Sequence, residues 1–387
     1  MSFLERAKRF GHDVEAIRRG ATVTSTIVLN TIEDYREFMA AHLSDDHRRN
    51  YSAREAAEPE QGPAQRALSD HIFGTGELTA EARVLAEEML PLEVALTSSD
   101  TYTVDNDVEY GTQSVAINAG TLVIDGGSLT IRGGTLTIHA DNLLMKAASA
   151  KQSYVVGVLG IAGADGAAGA TGADYDGGAK NGKKAKPKSP GICGSKNGGN
   201  GGDGAKGQAG GDGDDGEDGT PNMPASISIG AYDADSLYPF ILYTQSGAGG
   251  AGGAGGTGGA GQDGGNGGKG CSSGAEGSKG GNGGDGGEGG DGGAGGDGGD
   301  GTTGRDINIV FPVEDLSMLV TIRDVAKPGA GGAGGAGGAP GTPGKGGKGG
   351  PGKSSGKNGS YAAYGATGSD GVDGVTSGAA GEIYVNK

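Results

Sequence analysis

Glycine recurs at about every third position through the C-terminal part of this chain. Of the 89 glycines in 387 residues, 78 lie after residue 150, and the overall glycine content is about three times the ordinary usage of about 7%. Because glycine adds almost no side-chain volume, this part of the chain cannot fill a conventional core. Backbone must therefore pack against backbone. A collagen triple helix is disfavoured, because the chain has only 13 prolines and collagen needs proline at about 15–20%.

Residues 1–97 have the pattern of short α-helices. Thr31 and Asp34 have the spacing of a capping box and precede apolar residues that recur on one face, which predicts a helix near 31–43. A second helix is predicted from Thr79 until Pro91 stops it, and a third over the first seventeen residues, with 50–63 as a loop. We expect this region to dock onto a partner or to form a homo-oligomer.

Residues 98–152 change to a period of two, typical of β-structure. The repeats Thr121–Asp125, Ser128–Arg132 and Thr135–His139 are separated by Gly-Gly pairs. If those pairs are hairpin turns, Leu122 lies opposite Ile131 and the large aliphatic residues share one face. The competing interpretation is that each repeat is part of a β-solenoid rung.

Residues 153–387 form three similar units of about 80 residues. Apolar strand-like pairs recur at offsets of about 80 and 76 residues: 226–229 with 240–243, 306–309 with 318–322, and finally 382–385. Each unit then continues into an alanine–glycine run that leads to a lysine-bearing segment and returns. We interpret each unit as one out-and-back excursion.

A left-handed polyproline-II-type helix explains the Gly-Gly-X spacing, since it has three residues per turn and no internal hydrogen bonds. Every X residue then falls on one edge, and the bare glycine edges allow hydrogen bonds between neighbouring chains. The predicted fold class is therefore mixed: short N-terminal α-helices, a small β-sheet or β-solenoid core, and a bundle of about six polyglycine-type helices. The alternative is a disordered glycine-rich linker.

This architecture resembles that of the polyglycine-II bundle proteins, in style most of all the glycine-rich recognition domains of T-even-type phage tail-fibre adhesins. The resemblance covers roughly residues 157–381, and the alternation of strand pairs with glycine runs also resembles the glycine-rich domain of Obg-type GTPases. In the adhesins the loops between glycine helices select the receptor. The resemblance implies that 174–195, 263–280 and 340–358 are the corresponding loop tips.

Nine lysines in these tips are the candidate binding residues, against acidic return segments. Basic tips suit an anionic glycan or a lipid head group of a cell surface, whereas solvated lysines that only keep the tips soluble are the alternative. The candidates are Lys180, Lys183, Lys184, Lys186, Lys188, Lys345, Lys348, Lys353 and Lys357.

Other residues suggest no chemical site. Cys193 and Cys271 are nearly one unit apart, so they would meet at one end either as a disulfide or as two free thiols. The five histidines lie outside the glycine-rich region. Carboxylates about 9 Å apart along one edge do not chelate a single ion, and calcium bridging between adjacent glycine helices is the alternative. We predict no cofactor, no metal site and no enzymatic activity.

Charge and the N-terminus limit location and partners. The net charge of −17 disfavours nucleic-acid binding. The first twenty residues lack the apolar core of a signal peptide, and no apolar run approaches the length of a membrane span. We expect a protein of a virion or phage-like particle, of the cytoplasm, or one exported by a route other than Sec.

The predicted function is that of a non-enzymatic binding or adhesion protein with basic loop tips on a rigid shaft. Two alternatives come from the same sequence features. One is a self-assembling structural protein of a fibre or shell, in which glycine or alanine faces stack between molecules. The other is an ice-binding protein that uses the flat rows of alanine and threonine.

Overall fold

The computed structural model describes residues 2–54, 62–375, 378 and 380–386. Within them, six α-helices lie in the first 90 residues. They are α1 (Phe3–Arg9), α2 (Val14–Arg18), α3 (Ile32–Met39), α4 (Asp45–Ala53), α5 (Pro63–Phe73) and α6 (Ala80–Glu87).

The helix starts follow from capping. Thr31 accepts the Asp34 N–H and Asp34 accepts the Thr31 N–H, as the sequence predicts for α3. Thr79 likewise caps α6. The predicted third helix is instead the two helices α1 and α2, separated at Gly11, whose φ of 76° is unfavourable for other residues. The predicted loop over 50–63 is partly wrong, because α4 extends to residue 53, and residues 55–61 lie outside the described part of the chain.

The strands of the described residues form two large sheets and a small hairpin. The strands are β1 (Val23–Leu29), β2 (Leu92–Val104), β3 (Asp107–Glu109), β4 (Ser114–Asp125), β5 (Ser128–Arg132), β6 (Leu136–Ala147), β7 (Val156–Leu159), β8 (Ala225–Tyr232), β9 (Phe240–Gln245), β10 (Ser272–Ser273), β11 (Glu276–Gly277), β12 (Ile307–Val310), β13 (Leu319–Asp324) and β14 (Ile383–Asn386). The seven-stranded sheet is parallel except at β1–β2 and has the order β1-β2-β4-β6-β8-β12-β14, whereas the five-stranded sheet is fully parallel with the order β13-β9-β7-β5-β3. The hairpin pairs β10 with β11.

The predicted hairpins at the Gly-Gly pairs are wrong. Leu122 pairs with Leu143 rather than with Ile131, because β4 and β5 belong to different sheets. Gly126, with a φ of 90°, begins the turn that leads the chain from one sheet to the other. Strands of successive units pair at similar offsets, since Ile307 pairs with Ala225, 82 residues earlier, and with Ile383, 76 residues later.

The sheets and helices form three layers with two large cores and a small third cluster of Phe3, Ala7 and Ile17. One core lies between the two sheets and includes Leu122, Ile131 and Phe240. The other lies between the helices and the seven-stranded sheet and includes Tyr35 and Phe73. Strand β4 is buried along nearly its whole length because it contributes to both cores.

The predicted fold class is therefore wrong. The chain is an α/β fold organised on a seven-stranded mixed sheet and a five-stranded parallel sheet, and not a helical bundle that carries a small sheet. The two strands that the sequence predicts within a unit belong to different sheets. In its own sheet, each strand pairs in parallel with the corresponding strand of the neighbouring unit. The division of the chain at 97/98 and 152/153 into three domains stays a prediction.

Six glycine-rich segments connect strands and are assigned neither helix nor strand. We number them segment 1 (160–185), segment 2 (198–220), segment 3 (247–270), segment 4 (278–301), segment 5 (327–350) and segment 6 (354–375). Segments 1, 3 and 5 are hydrogen-bonded side by side in one layer, and segments 2, 4 and 6 in a second layer, with further bonds between the layers. Along each segment the same type of bond recurs every three residues, as in Gly163 to Ala248 and Gly166 to Ala251.

Glycine is required inside this array by close approach of backbones. A Cβ on Gly253 would lie 2.6 Å from the carbonyl carbon of Ala167 and closer still to its oxygen. In contrast, a Cβ on Gly178 would be 3.5 Å from its nearest neighbour, which is ordinary contact. The glycines therefore set the spacing of the segments.

Candidate functional site

The predicted lysines lie at the outer ends of the segments, and all nine are exposed. Backbone register places them near one another: the Lys183 oxygen accepts the Gly199 N–H, the Lys348 oxygen accepts the Gly270 N–H, and the Lys357 oxygen accepts the Gly283 N–H. Lysines that are more than 150 residues apart in sequence thus share one end of the array.

We define this lysine end as residues 177–199, 264–284 and 343–359. Sequence reasoning missed three of its lysines, Lys196, Lys269 and Lys279. Lys269 lies between segments 1 and 5, because its oxygen accepts the Ala185 N–H while the following Gly270 donates to segment 5. The lysine end contains twelve lysines and a single acidic residue, Glu276, in a chain with a net charge of −17. The charges of this protein are therefore strongly segregated.

A disulfide joins Cys193 and Cys271 at the lysine end, with a Cα–Cα distance of 5.8 Å. It connects the turn between segments 1 and 2 to the turn between segments 3 and 4. Cys271 is buried, and the Cys193 N–H donates to the Glu276 carboxylate at 3.0 Å. The third turn is attached by the backbone bond from Gly350 to Ser278, at 2.9 Å. The lysine-bearing turns are thus held to one another by covalent and hydrogen bonds.

The carboxylates of segments 2 and 4 accept backbone hydrogen bonds from the next segment of their layer. Asp203 accepts the Asp285 N–H at 2.9 Å, and Asp285 in turn accepts the Ser360 N–H at 2.6 Å. Hydrogen bonds from the Lys206 side chain and from the Ala366 N–H lower the pKa of Asp291. Within the part of the chain that the structure describes, no three His, Cys, Asp or Glu side chains form a metal-ligand set.

A cavity of about 690 Å³ between α1, α3, β1 and β6 is a feature that sequence reasoning did not find. Its wall includes His42 and His139, whose ring centroids are 4.7 Å apart. Burial lowers the pKa of His139 to about 3, with the Arg6 charge adding to the effect. Burial and the neighbouring His139 also hold the pKa of His42 well below its ordinary value. Both rings are therefore neutral at neutral pH.

The polar groups of the cavity wall differ in whether they are paired. Both ring nitrogens of His42 are shielded from solvent and have no hydrogen-bond partner among the described residues. Arg6 forms an ion pair with Asp141 at 2.7 Å, and Arg9 pairs with Glu37. His42 and His139 are 97 positions apart in sequence. They meet only because β6, which contains His139, lies in the sheet on which the helices pack.

Comparison with known proteins gives little further guidance. No protein-family model and no curated protein matches the chain. One solved structure, the nine polyproline type II helical bundle springtail antifreeze protein from Granisotoma rainieri, matches at 26% identity over 49% of this chain and 94% of that chain, with a TM-score of 0.09. None of the helices in the described ranges combines the length and the apolar character needed to cross a membrane.

Proposed function

We propose that this is a non-enzymatic binding protein whose lysine end attaches to an anionic polymer, such as an acidic glycan of a cell surface. The observation that carries the proposal is the concentration of twelve lysines with one acidic residue at a single end of the array. A positive end on a negative body orients the molecule in the field of an anionic surface and accelerates its association. Resemblance to phage adhesins stays a prediction.

The backbone bonds and the disulfide support presentation by a preorganised end. Lysine side chains keep most of their own freedom, but the turns that bear them are held by Cys193–Cys271 and by the Gly350 to Ser278 bond. Fewer backbone degrees of freedom are then lost on binding, which favours affinity.

Titration of the full chain with sodium polygalacturonate at low and high salt tests the proposal. The triple variant Lys183→Gln, Lys186→Gln, Lys188→Gln should bind about tenfold more weakly, since each exposed charge pair contributes on the order of 0.5 kcal/mol. The control is Lys146→Gln, Lys151→Gln, Lys327→Gln, which removes three exposed lysines outside the lysine end and should bind as the parent does. Equal loss in the two variants, or salt-independent binding, would contradict the proposal.

Ice binding is a second candidate because of the outer face of segments 1, 3 and 5. Small residues recur there every three positions and are exposed, with Ala254 and Thr257 on segment 3 and Ala333 and Ala336 on segment 5. If this face binds ice, thermal hysteresis should be measurable and should fall when Ala254 and Ala333 are replaced by lysine. Absence of hysteresis in the parent protein removes this candidate.

A further inference from the structure

The open edge of segment 5 has a regular arrangement of capped backbone donors. Four N–H groups of this segment, at positions separated by multiples of three, donate to side chains of the neighbouring segment 6. The pairs are Gly331 with Asp373 at 2.8 Å, Gly334 with Asp370 at 2.8 Å, Gly346 with Asn358 at 2.9 Å and Gly349 with Ser355 at 3.3 Å. All four follow one antiparallel register.

The middle of the same edge departs from this pattern at three consecutive positions. Gly337 lies opposite Thr367 and does not donate to it, and the next two positions are prolines. The register places Tyr364 opposite Pro340 and Tyr361 opposite Pro343. Proline has no N–H, so no donor needs a cap there. Tyrosine therefore replaces a capping side chain only where the donor is also missing. The two rings are 76% and 73% exposed for Tyr361 and Tyr364, respectively, which leaves their faces open to a ligand.

A polar depression of about 350 Å³ adjoins Tyr361. Its lining includes Lys206, Asp285, Glu288 and Ser360. It lies beside Ala362, which occupies an interior position of segment 6. The interior residues on either side, Gly359 and Gly365, donate their N–H groups to segment 5, whereas Ala362 does not. Toward the outer end, the next residues of this edge are Asn358 and Ser355, and Lys357 is the neighbour of Asn358 in the chain.

A sugar polymer fits this combination of groups. A pyranose ring has an apolar face of C–H bonds that stacks on an aromatic ring, and hydroxyls at its rim that bond to polar side chains such as those of the depression. Tyrosines three residues apart in an extended chain are about 9–10 Å apart, close to the length of two linked pyranose rings. A protein partner would need about 1,000 Å² of complementary surface, whereas this edge offers two separate rings.

We propose that Tyr361 and Tyr364 form a stacking platform for an extended acidic polysaccharide, whose charged groups are bound by the adjoining Lys345, Lys348 and Lys357. The inference rests on the proposed function and specifies its ligand. The sugar chain would lie along the edge of segments 5 and 6, with its rings on the tyrosines and its carboxylates near the lysines.

Binding of the full chain to two polymers separates the contribution of the rings from that of the charges. The probes are sodium polygalacturonate, which has both rings and charges, and polyglutamate, which has charges alone. The double variant Tyr361→Ala, Tyr364→Ala should bind polygalacturonate about tenfold more weakly, since stacking on each ring contributes about 0.5–1.5 kcal/mol, and should bind polyglutamate unchanged. The control Tyr175→Ala removes another exposed tyrosine and should alter neither affinity.

The outcomes distinguish the two proposals. Lys345→Gln, Lys348→Gln, Lys357→Gln should weaken binding to both polymers. If the tyrosine variant binds polygalacturonate as the parent does, the stacking platform is refuted while lysine-dependent binding stands. If the parent binds neither polymer, both proposals fail. Thermal melting checks that the variants remain folded, which is expected because the replaced side chains are exposed.

Discussion

Replacement of Gly253 by alanine is the sharpest perturbation of the glycine array. Gly253 lies in segment 3 with neighbours on several sides: its N–H donates to the Asp214 oxygen at 2.8 Å, and its own oxygen accepts the Gly296 N–H at 2.9 Å. The added Cβ would be 2.6 Å from the Ala167 carbonyl carbon, whereas ordinary contact begins near about 3.5 Å. Segments 1 and 3 must therefore separate by about 1 Å.

The magnitude follows from the bonds that such a shift disrupts. A displacement of about 1 Å takes an N···O distance of 2.8 Å beyond the usual limit of about 3.2 Å. Two buried backbone bonds are then lost, at a cost of about 1–3 kcal/mol for each bond. The lower entropy of the unfolded alanine chain offsets about 0.4–1 kcal/mol. We expect the free energy of unfolding to fall by about 2–5 kcal/mol.

Urea unfolding of the oxidised protein, followed by circular dichroism, measures this difference. The matched control is Gly178→Ala, which makes the same chemical change where a Cβ meets only ordinary contacts and should alter stability by less than about 1 kcal/mol. Equal stabilities for the two variants would refute the conclusion that backbone proximity requires glycine. Ala362 is a natural instance of the same effect: it lies at an interior position, and its N–H has no partner on segment 5.

Two further predictions concern the buried histidines and the disulfide. Because the unfolded chain protonates His139 near pH 6.5 and the folded chain only near pH 3, lowering the pH from 7 to 5 should destabilise the protein by about 2 kcal/mol through this residue. His139→Gln should show a correspondingly weaker pH dependence in urea titrations, whereas an unchanged dependence would contradict the assignment. Replacing Cys193 and Cys271 by serine opens a link between residues 78 positions apart and should lower the free energy of unfolding by about 2–4 kcal/mol, measured against the parent with and without reductant.

Local signals were readable from the sequence, whereas pairings between distant segments were not. The capping box at Thr31 depends on residues three apart, and the structure confirms it. The Gly126 turn was recognised as a turn, but a positive φ is compatible both with a hairpin and with a passage between two sheets. Only the partners of the flanking strands decide between them, and those partners belong to β2, β6 and β7. The fold class was wrong for the same reason.

The candidate site shows the same limit. Each lysine was visible in its own turn, but the place of Lys269 between two other lysine-bearing segments follows from the register of backbone bonds. The relation of Pro340 to Tyr364 is likewise invisible without that register. His42 and His139 carry no sequence signal that they meet, since one follows a helix and the other lies within a strand.

The arrangement of the segment 5 edge also bears on the self-assembly alternative. An exposed row of backbone donors is a template for pairing with another chain, but here Asp370 and Asp373 already accept two of these N–H groups and Pro340 and Pro343 have none to offer. A second copy that paired along this edge would displace bonded carboxylates and leave them to be desolvated, which costs about 1–3 kcal/mol or more for each charged group. Assembly through this edge is therefore disfavoured. The same capping leaves exposed side chains, rather than backbone, as the surface that an incoming ligand meets, which favours attachment to a polymer over growth into a fibre.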